Sequence, residues 1–326
     1  MPQKPDAAIP DWATTAIERL VSVRKASRLR EDATALTAAY RASDRTKPGA
    51  IDVPAYLAMR APATHAAMMQ ALSALQAVLP DFEPRSLLDI GAGPGTASWA
   101  AVSRYPSIAQ AVLIERASSM RDAGKVIAAH APHAVLSDAH WLAEDATQPE
   151  FRPADLALSA YVLNELSSAK ATELAARMFS AAGIVVLVEP GSRAGFERLR
   201  AVRTQLIAQG GVILAPCTHE KPCPIAGNDW CHFSVRVQRS RLHRQAKGAN
   251  LSHEDEKFAY LIAAKPEAAI SRVLPQARII RQPMARKGHV HLDLCADGRL
   301  YRHTVTRSDD AYGDARDAAW GDAWAD

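Results

Sequence analysis

Residues 11–45 carry Ala, Leu and Arg at helical spacing with no internal Pro or Gly, which predicts helix. Lys47-Pro48-Gly49 ends that pattern. A second helical region is predicted from about Pro54 to Leu79, with Pro62 as an interruption or a first-turn residue, and Pro80 and Pro84 bracket a linker. From Arg85 the pattern changes. Short apolar runs at 86–90, 111–115, 155–163 and 183–191 alternate with helical stretches at 96–104, 118–130 and 169–182, and 134–143 reads as a further strand. After about Gly211 the alternation stops. A cysteine-containing loop and a basic segment follow, then β-like runs at 258–264, 278–282, 289–294 and 300–306. In the tail, Trp320 and Trp324 are spaced to share one face of a helix.

Strands alternating with helices imply an α/β fold with a parallel sheet. The pattern divides the chain into an N-terminal helical region (1–80), a Rossmann-like domain (81–212), a cysteine-containing basic β-rich extension (213–307) and an acidic tail (308–326). With 326 residues, 48% of them hydrophobic, there is enough apolar surface for one large core or two smaller ones. No run of about 18 uncharged apolar residues is present, and the N-terminus lacks a hydrophobic signal core. The expectation is a cytoplasmic protein without membrane contact, working as a monomer.

A net charge of +4 conceals an asymmetry. Residues 191–307 hold 20 Lys and Arg against 9 Asp and Glu, whereas 61–190 hold 8 against 13 and the last 19 residues 1 against 6. A basic half beside an acidic half suits a polyanionic partner or a solvated basic face.

The clearest chemistry lies at Asp89-Ile90-Gly91-Ala92-Gly93-Pro94-Gly95, which follows an apolar strand and opens a helix. Glycines there allow a sharp turn and a close approach of ligand to backbone. The D-x-G-x-G-x-G spacing with Pro94 resembles the first motif of class I S-adenosylmethionine-dependent methyltransferases. That resemblance implies a loop, Asp89 to Gly95, around the methionine part of the cofactor. It implies ribose hydroxyls held by the acid ending the second strand, Glu115, and an adenine amine contacted by Asp145 or its neighbour Glu144. A nicotinamide dehydrogenase would need a hydride-transfer site, and no catalytic His stands in the following strand loops.

Tyr161-Val162-Leu163-Asn164-Glu165 closes the third run, where such enzymes orient the methyl acceptor. Asn164 and Glu165 are the candidate catalytic residues; an N-capping Asn beside a solvated Glu is the structural reading of the same pair. The Asn/Asp-Pro-Pro-Tyr/Phe motif of amino-group base methyltransferases is absent. So is any cysteine in the first half of the chain, which argues against a cysteine nucleophile.

All four cysteines fall in the second half. Cys217, Cys223 and Cys231 lie in a Pro- and Gly-rich loop, and Cys295 arrives from a later strand. Such a set can close around a metal centre and staple two segments. Thiolate-only ligation suits an iron–sulfur cluster or zinc, and with zinc His219 or His232 could replace one thiolate.

Several motifs in this order resemble the small-ribosomal-subunit methyltransferase-like family, with bacterial and mitochondrial members. They are Arg60-Ala61-Pro62, Val188-Glu189-Pro190-Gly191, Cys217-x5-Cys223-Pro224, Asp229-Trp230-Cys231-His232-Phe233, Glu254-Asp255-Glu256-Lys257-Phe258 and Trp320-Gly321-Asp322. The resemblance covers roughly residues 50–326. It implies a methyltransferase fold, association with small-subunit ribosomal RNA and a four-iron, four-sulfur cluster on the four cysteines.

The basic segment after the cysteine loop fits an RNA partner. If it is one helix, Arg236, Arg239, Arg244 and Lys247 share a face and can neutralise several phosphates. Two function classes follow: an enzyme transferring a methyl group to small-subunit RNA, and a non-catalytic assembly or translation factor that keeps the cofactor fold and the cluster as structure.

Overall fold

A computed structural model of the chain describes residues 8–41, 52–147, 150–247 and 251–325. Helices α1 (Asp11–Ser22) and α2 (Ala26–Arg41) replace the single predicted N-terminal helix; the Lys47-Pro48-Gly49 break lies outside the described residues. Helix α3 (Val53–Met59) starts where Asp52 accepts a hydrogen bond from the Ala55 amide at 2.9 Å, with Pro54 in its first turn. Pro62 stands in the first turn of α4 (Ala61–Val78), so it begins that helix rather than interrupting it.

The alternating region follows as β1 (Ser86–Ile90), α5 (Thr96–Arg104), β2 (Gln110–Ile114), α6 (Ser118–Ala128), α7 (Ala134–Ser137), β3 (His140–Leu142) and β4 (Ala154–Ala160). A short 3-10 turn (Leu163–Glu165), α8 (Ser168–Ala181), β5 (Ala182–Pro190), α9 (Arg193–Ala208) and β6 (Val212–Ala215) complete it. Beyond lie β7 (Phe233–Gln238), α10 (Arg241–Lys247), β8 (His253–Ala264), β9 (Ala277–Ile279), β10 (Met284–Arg286), β11 (His289–Ala296), β12 (Arg299–Thr306), α11 (Tyr312–Asp317) and β13 (Ala323–Trp324).

The main sheet runs β3-β2-β1-β4-β5-β8-β6, with β7 paired to β8. Strands β1 to β5 pair in parallel; β8 inserts antiparallel between β5 and β6. This is the expected Rossmann-like α/β sheet, followed by a second, smaller sheet of β9 to β13. Each central strand feeds two cores by simple alternation. Ile184, Val186 and Val188 of β5 join α1, α3, α4 and α5 on one face, while Val185 and Leu187 join α8 and α9 on the other.

Three expectations differ from the structure. The run 134–143 divides into a helical turn and a short strand, because an apolar run of that length suits either state. Strands β6, β7 and β8, which the hydrophobic pattern sets apart in the extension, belong to the main sheet, and only β9 to β13 form a separate one. Trp320 and Trp324 do not share a helix. Trp324 lies in β13, buried against β9, and Trp320 precedes it in a turn. No helix among the described residues is long and apolar enough to cross a membrane.

Candidate functional site

In the main sheet, β1 is flanked by β2 on one side and β4 on the other, so the chain reverses direction across the sheet at β1. Open parallel sheets bind ligands at such a switch point, beyond the C-terminal ends of the strands. The glycine loop leaves β1 there. Gly91, Gly93 and Gly95 all have positive φ, at 69°, 56° and 91°. A Cβ on Gly91 would stand 2.3 Å from Cγ2 of Val162, just beyond β4, so the two strand ends meet backbone to side chain. The amides of Gly91 and Ala92 donate to the Ile114 carbonyl, which ties the loop to the end of β2.

Glu115 follows β2, and its carboxylate is turned to this loop. One oxygen accepts from the Gly93 amide at 2.9 Å and the other from the Ala117 amide at 2.7 Å. Asp89 is placed differently. It is 1% exposed and accepts a 2.6 Å hydrogen bond from Ser98 of α5, so it holds the loop to its helix and is closed to the crevice. Burial pushes its carboxyl up to about 7, against the pull of Ser98. Asp145 accepts from the amide and hydroxyl of Thr147, both at 2.9 Å, and pairs with Arg116 at 3.5 Å. The Thr147 amide bond first, and Arg116 further down, hold its carboxyl below the ordinary range.

At the end of β4, Tyr161 has φ of 61°, a strained backbone for an aromatic residue. Its hydroxyl donates to Glu256 of β8 at 2.8 Å, and Arg60, between α3 and α4, reaches the same carboxylate at 3.2 Å. The Arg60 guanidinium also lies over the Tyr161 ring, 5.2 Å from its centroid. Asn164 and Glu165 sit on the 3-10 turn that follows, Asn164 half-buried and Glu165 exposed. Glu189, at the end of β5, accepts from the Leu163 amide at 2.9 Å and so holds that turn. Burial pushes the Glu189 carboxyl up to about 8.

The cysteine loop leaves β6 and returns to β7. Cys217, Cys223, Cys231 and Cys295 of β11 line one cavity, together with Phe196, Arg203 and Tyr260. No three His, Cys, Asp or Glu side chains among the described residues are grouped to hold a metal ion. Burial raises the thiols of Cys217, Cys231 and Cys295, the last to about 12, and each thiol's neighbours among the four raise it further. The imidazole of His219 lies 3.9 Å from the Cys295 sulfur. His232 is instead packed between Trp230 and Trp320, with ring centroids at 5.3 and 4.7 Å.

The basic segment is not one helix, and Arg236, Arg239 and Arg244 do not form a stripe along one. Arg236 lies on β7 and is exposed, paired with Asp255 directly across on β8 at 3.0 Å. Arg239 is nearly buried and pairs with Glu254 at 2.9 Å; the same carboxylate meets the fully buried His243 at 3.1 Å. Arg244 on α10 is exposed, and the Lys247 side chain lies outside the described residues. A strand needs only alternation, and Phe233, Val235 and Val237 supply it, so the helical reading of 236–247 fails in its first half.

A family model described as mitochondrial small ribosomal subunit Rsm22 matches residues 50–325. The chain belongs to the Rsm22 family. It is 30% identical over 290 residues to the human mitochondrial ribosome assembly protein METTL17, covering 82% of this chain and 61% of that protein. Against the Rsm22-cox11 tandem protein 2 of Schizosaccharomyces pombe it is 26% identical over 341 residues, covering 83% of this chain and 42% of that protein. The chain thus spans about three fifths and two fifths of these relatives' lengths. Among solved structures, magnesium protoporphyrin IX methyltransferase from Synechocystis is similar at a TM-score of 0.39 and 12% identity, covering 72% of this chain and 97% of that one.

In this Rsm22-family chain the structure brings together residues whose roles the sequence did not announce. Arg60, Glu189 and Glu256 fall within the family motifs, yet only the fold shows that Arg60 and Glu256 meet over Tyr161 while Glu189 holds the next turn. Tyr56 of α3, whose hydroxyl would stand 3.5 Å from a Cβ on Gly93, covers the glycine loop from the N-terminal region. Nothing in the linear pattern marks Tyr56, Arg203 or Arg278.

Proposed function

We propose that this protein is an S-adenosylmethionine-binding, methyltransferase-like factor that binds small-subunit ribosomal RNA during ribosome assembly. The observation that carries the cofactor part is the glycine loop at the switch point with the Glu115 carboxylate turned onto it. Gly91 and Gly93 would admit the methionine part against bare backbone, Glu115 would take the ribose hydroxyls, and Asp145 would meet the adenine amine. The cofactor supplies an electrophilic methyl group. Arg60, Tyr161 and Glu256, with Asn164 and Glu165, would line the acceptor side. The assembly role follows from family membership and from the assembly proteins among the relatives. Among the candidate RNA contacts Arg236, Arg239, Arg244 and Lys247, Arg244, exposed and without a carboxylate partner among the described residues, is the strongest, and Arg239 the weakest because Glu254 holds it.

The four cysteines would hold a metal centre. Four thiols around one cavity repel one another once ionised, and a cation removes that cost. Four thiolates suit the four-iron, four-sulfur cluster that the family resemblance implies, with zinc as the alternative.

The deciding experiment is mass spectrometry of small-subunit RNA from cells with and without the protein, alongside calorimetric titration of S-adenosylmethionine. Cofactor uptake with loss of one methylated nucleotide assigns an enzyme. Uptake with unchanged RNA methylation, but with defective small subunits, assigns an assembly factor that keeps the fold for binding. Protein that takes up neither S-adenosylmethionine nor S-adenosylhomocysteine sinks the cofactor reading.

A further inference from the structure

Two buried arginines stand beside the cysteines: Arg203 lines their cavity and Arg278 lies opposite Cys295 on the neighbouring strand. Arg203 of α9 and Arg278 of β9 are each only 5% exposed. Arg203 donates to the carbonyls of His219 at 2.6 Å and Lys221 at 2.9 Å and lines the cavity together with Cys217. Arg278 donates to the carbonyls of Pro216 and Gly321, both at 3.0 Å, and faces Cys295 in register on the neighbouring strand. Neither forms an ion pair among the described residues, whereas the nearby Arg200 pairs with Glu197 and Arg281 with Asp229. Carbonyl dipoles orient a guanidinium but leave its full charge in place. A buried cation without a counter-charge is costly, and an arginine cannot shed its proton to escape that cost.

The cysteine thiols share this pair's surroundings with the Tyr260 phenol and the His219 imidazole, and of these the thiols are the metal-binding anions once ionised. We infer that Arg203 and Arg278 are the built-in counter-charges of an anionic, four-thiolate metal centre. Four thiolates around a dipositive core leave two negative charges, and two buried guanidiniums balance them. The inference rests on the metal centre proposed above and adds to it. The arginines are positioning residues that set the charge around the centre, and net charge together with hydrogen bonds to sulfur fixes the reduction potential of such clusters.

The test uses the full chain, purified and reconstituted without oxygen, with Arg203→Met, Arg278→Met and Arg203→Lys beside the wild type. Iron, sulfide and zinc are measured per chain, and the midpoint potential is titrated. Folding is followed by circular dichroism and by S-adenosylhomocysteine uptake at the glycine loop. The expected result is a potential shifted to more negative values in both Met variants, with the Lys variant close to wild type. Iron lost from the Met variants but retained by the Lys variant supports the same role. Full iron with unchanged potentials in both Met variants overturns it, as does equal iron loss from all three. If the wild type holds zinc, the readout is the rate of metal loss to a chelator: faster loss from the Met variants supports the role and equal rates overturn it. Wild-type protein with neither metal removes the centre itself, a result independent of any variant.

Discussion

Gly91 carries two constraints at once. Its φ of 69° lies in the left-handed region, and its missing Cβ leaves the space taken by Val162. Gly91→Ala should therefore cost about 1–3 kcal/mol from the backbone alone, with a further loss as Val162 moves. Thermal unfolding reads the first effect and calorimetric titration of S-adenosylhomocysteine the second; an alanine variant that melts and binds like wild type would falsify the loop assignment. Glu189 offers a pH signature. Its folded-state value of about 8 lies above the ordinary 4.5, because burial favours the neutral form. The folded protein therefore holds a proton there that the unfolded chain releases, and stability falls as pH rises from about 4.5 to 8. Asp89, raised from 3.8 to about 7, adds the same sign over its own window. Glu189→Gln should remove the slope between about pH 7 and 8 and reduce it below, where Asp89's part remains. Unfolding free energies across pH 4 to 9 that keep the same slope in the variant would remove Glu189 as its source.

At the scale of elements, β7, α10 and β8 form a unit through Arg239, His243 and Glu254. Removing Arg239 takes the arginine partner from the nearly buried Glu254 carboxylate. Arg239→Gln should destabilise the protein by roughly 3 kcal/mol, as breaking a buried pair does. Arg244→Gln, on the exposed face of α10, should leave stability within about 0.5 kcal/mol. If Arg244 contacts a phosphate, its loss should reduce the salt dependence of RNA binding by about one unit of slope. Denaturant unfolding and RNA affinity over a salt series separate the two variants. The assignment fails if Arg239 proves silent in unfolding, or if Arg244 changes stability and not the slope.

Across the whole molecule, the cysteine cavity joins the two sheets. Cys217 follows β6 and Cys231 precedes β7, both strands of the main sheet, while Cys295 lies on β11 of the smaller one. A metal centre there would couple the small sheet to the rest of the protein, and losing a ligand should loosen that junction first. Cys295→Ser is expected to raise amide exchange in β9 to β13 and in residues 216–232, with β1 to β5 little changed. Uniform change throughout, or none, would mean that the cavity carries no stapling centre.

Strong local signals were readable in the linear order. The runs at 86–90 and 183–191 became β1 and β5 because buried parallel strands are near-continuous in apolar residues, and the glycine spacing marked the loop between β1 and α5. Glu115 was legible because the end of a second strand lies beside the first loop in any such sheet. The family motifs likewise marked the cysteines, Glu189 and Glu256 as residue types in order. What the linear order withheld is everything set by long-range pairing. The insertion of β8 between β5 and β6 brings Glu256 to Tyr161 and Arg60, which are 95 and 196 residues away in the chain. The same pairing turns Arg236 into a strand residue with its own acidic partner. Local periodicity records which face of an element is buried; it carries no information about which distant charge that face will meet. For that reason Arg203 and Arg278 look like ordinary basic residues in the sequence, and only the fold places them, buried and without a carboxylate partner among the described residues, at the cysteine cavity and opposite Cys295.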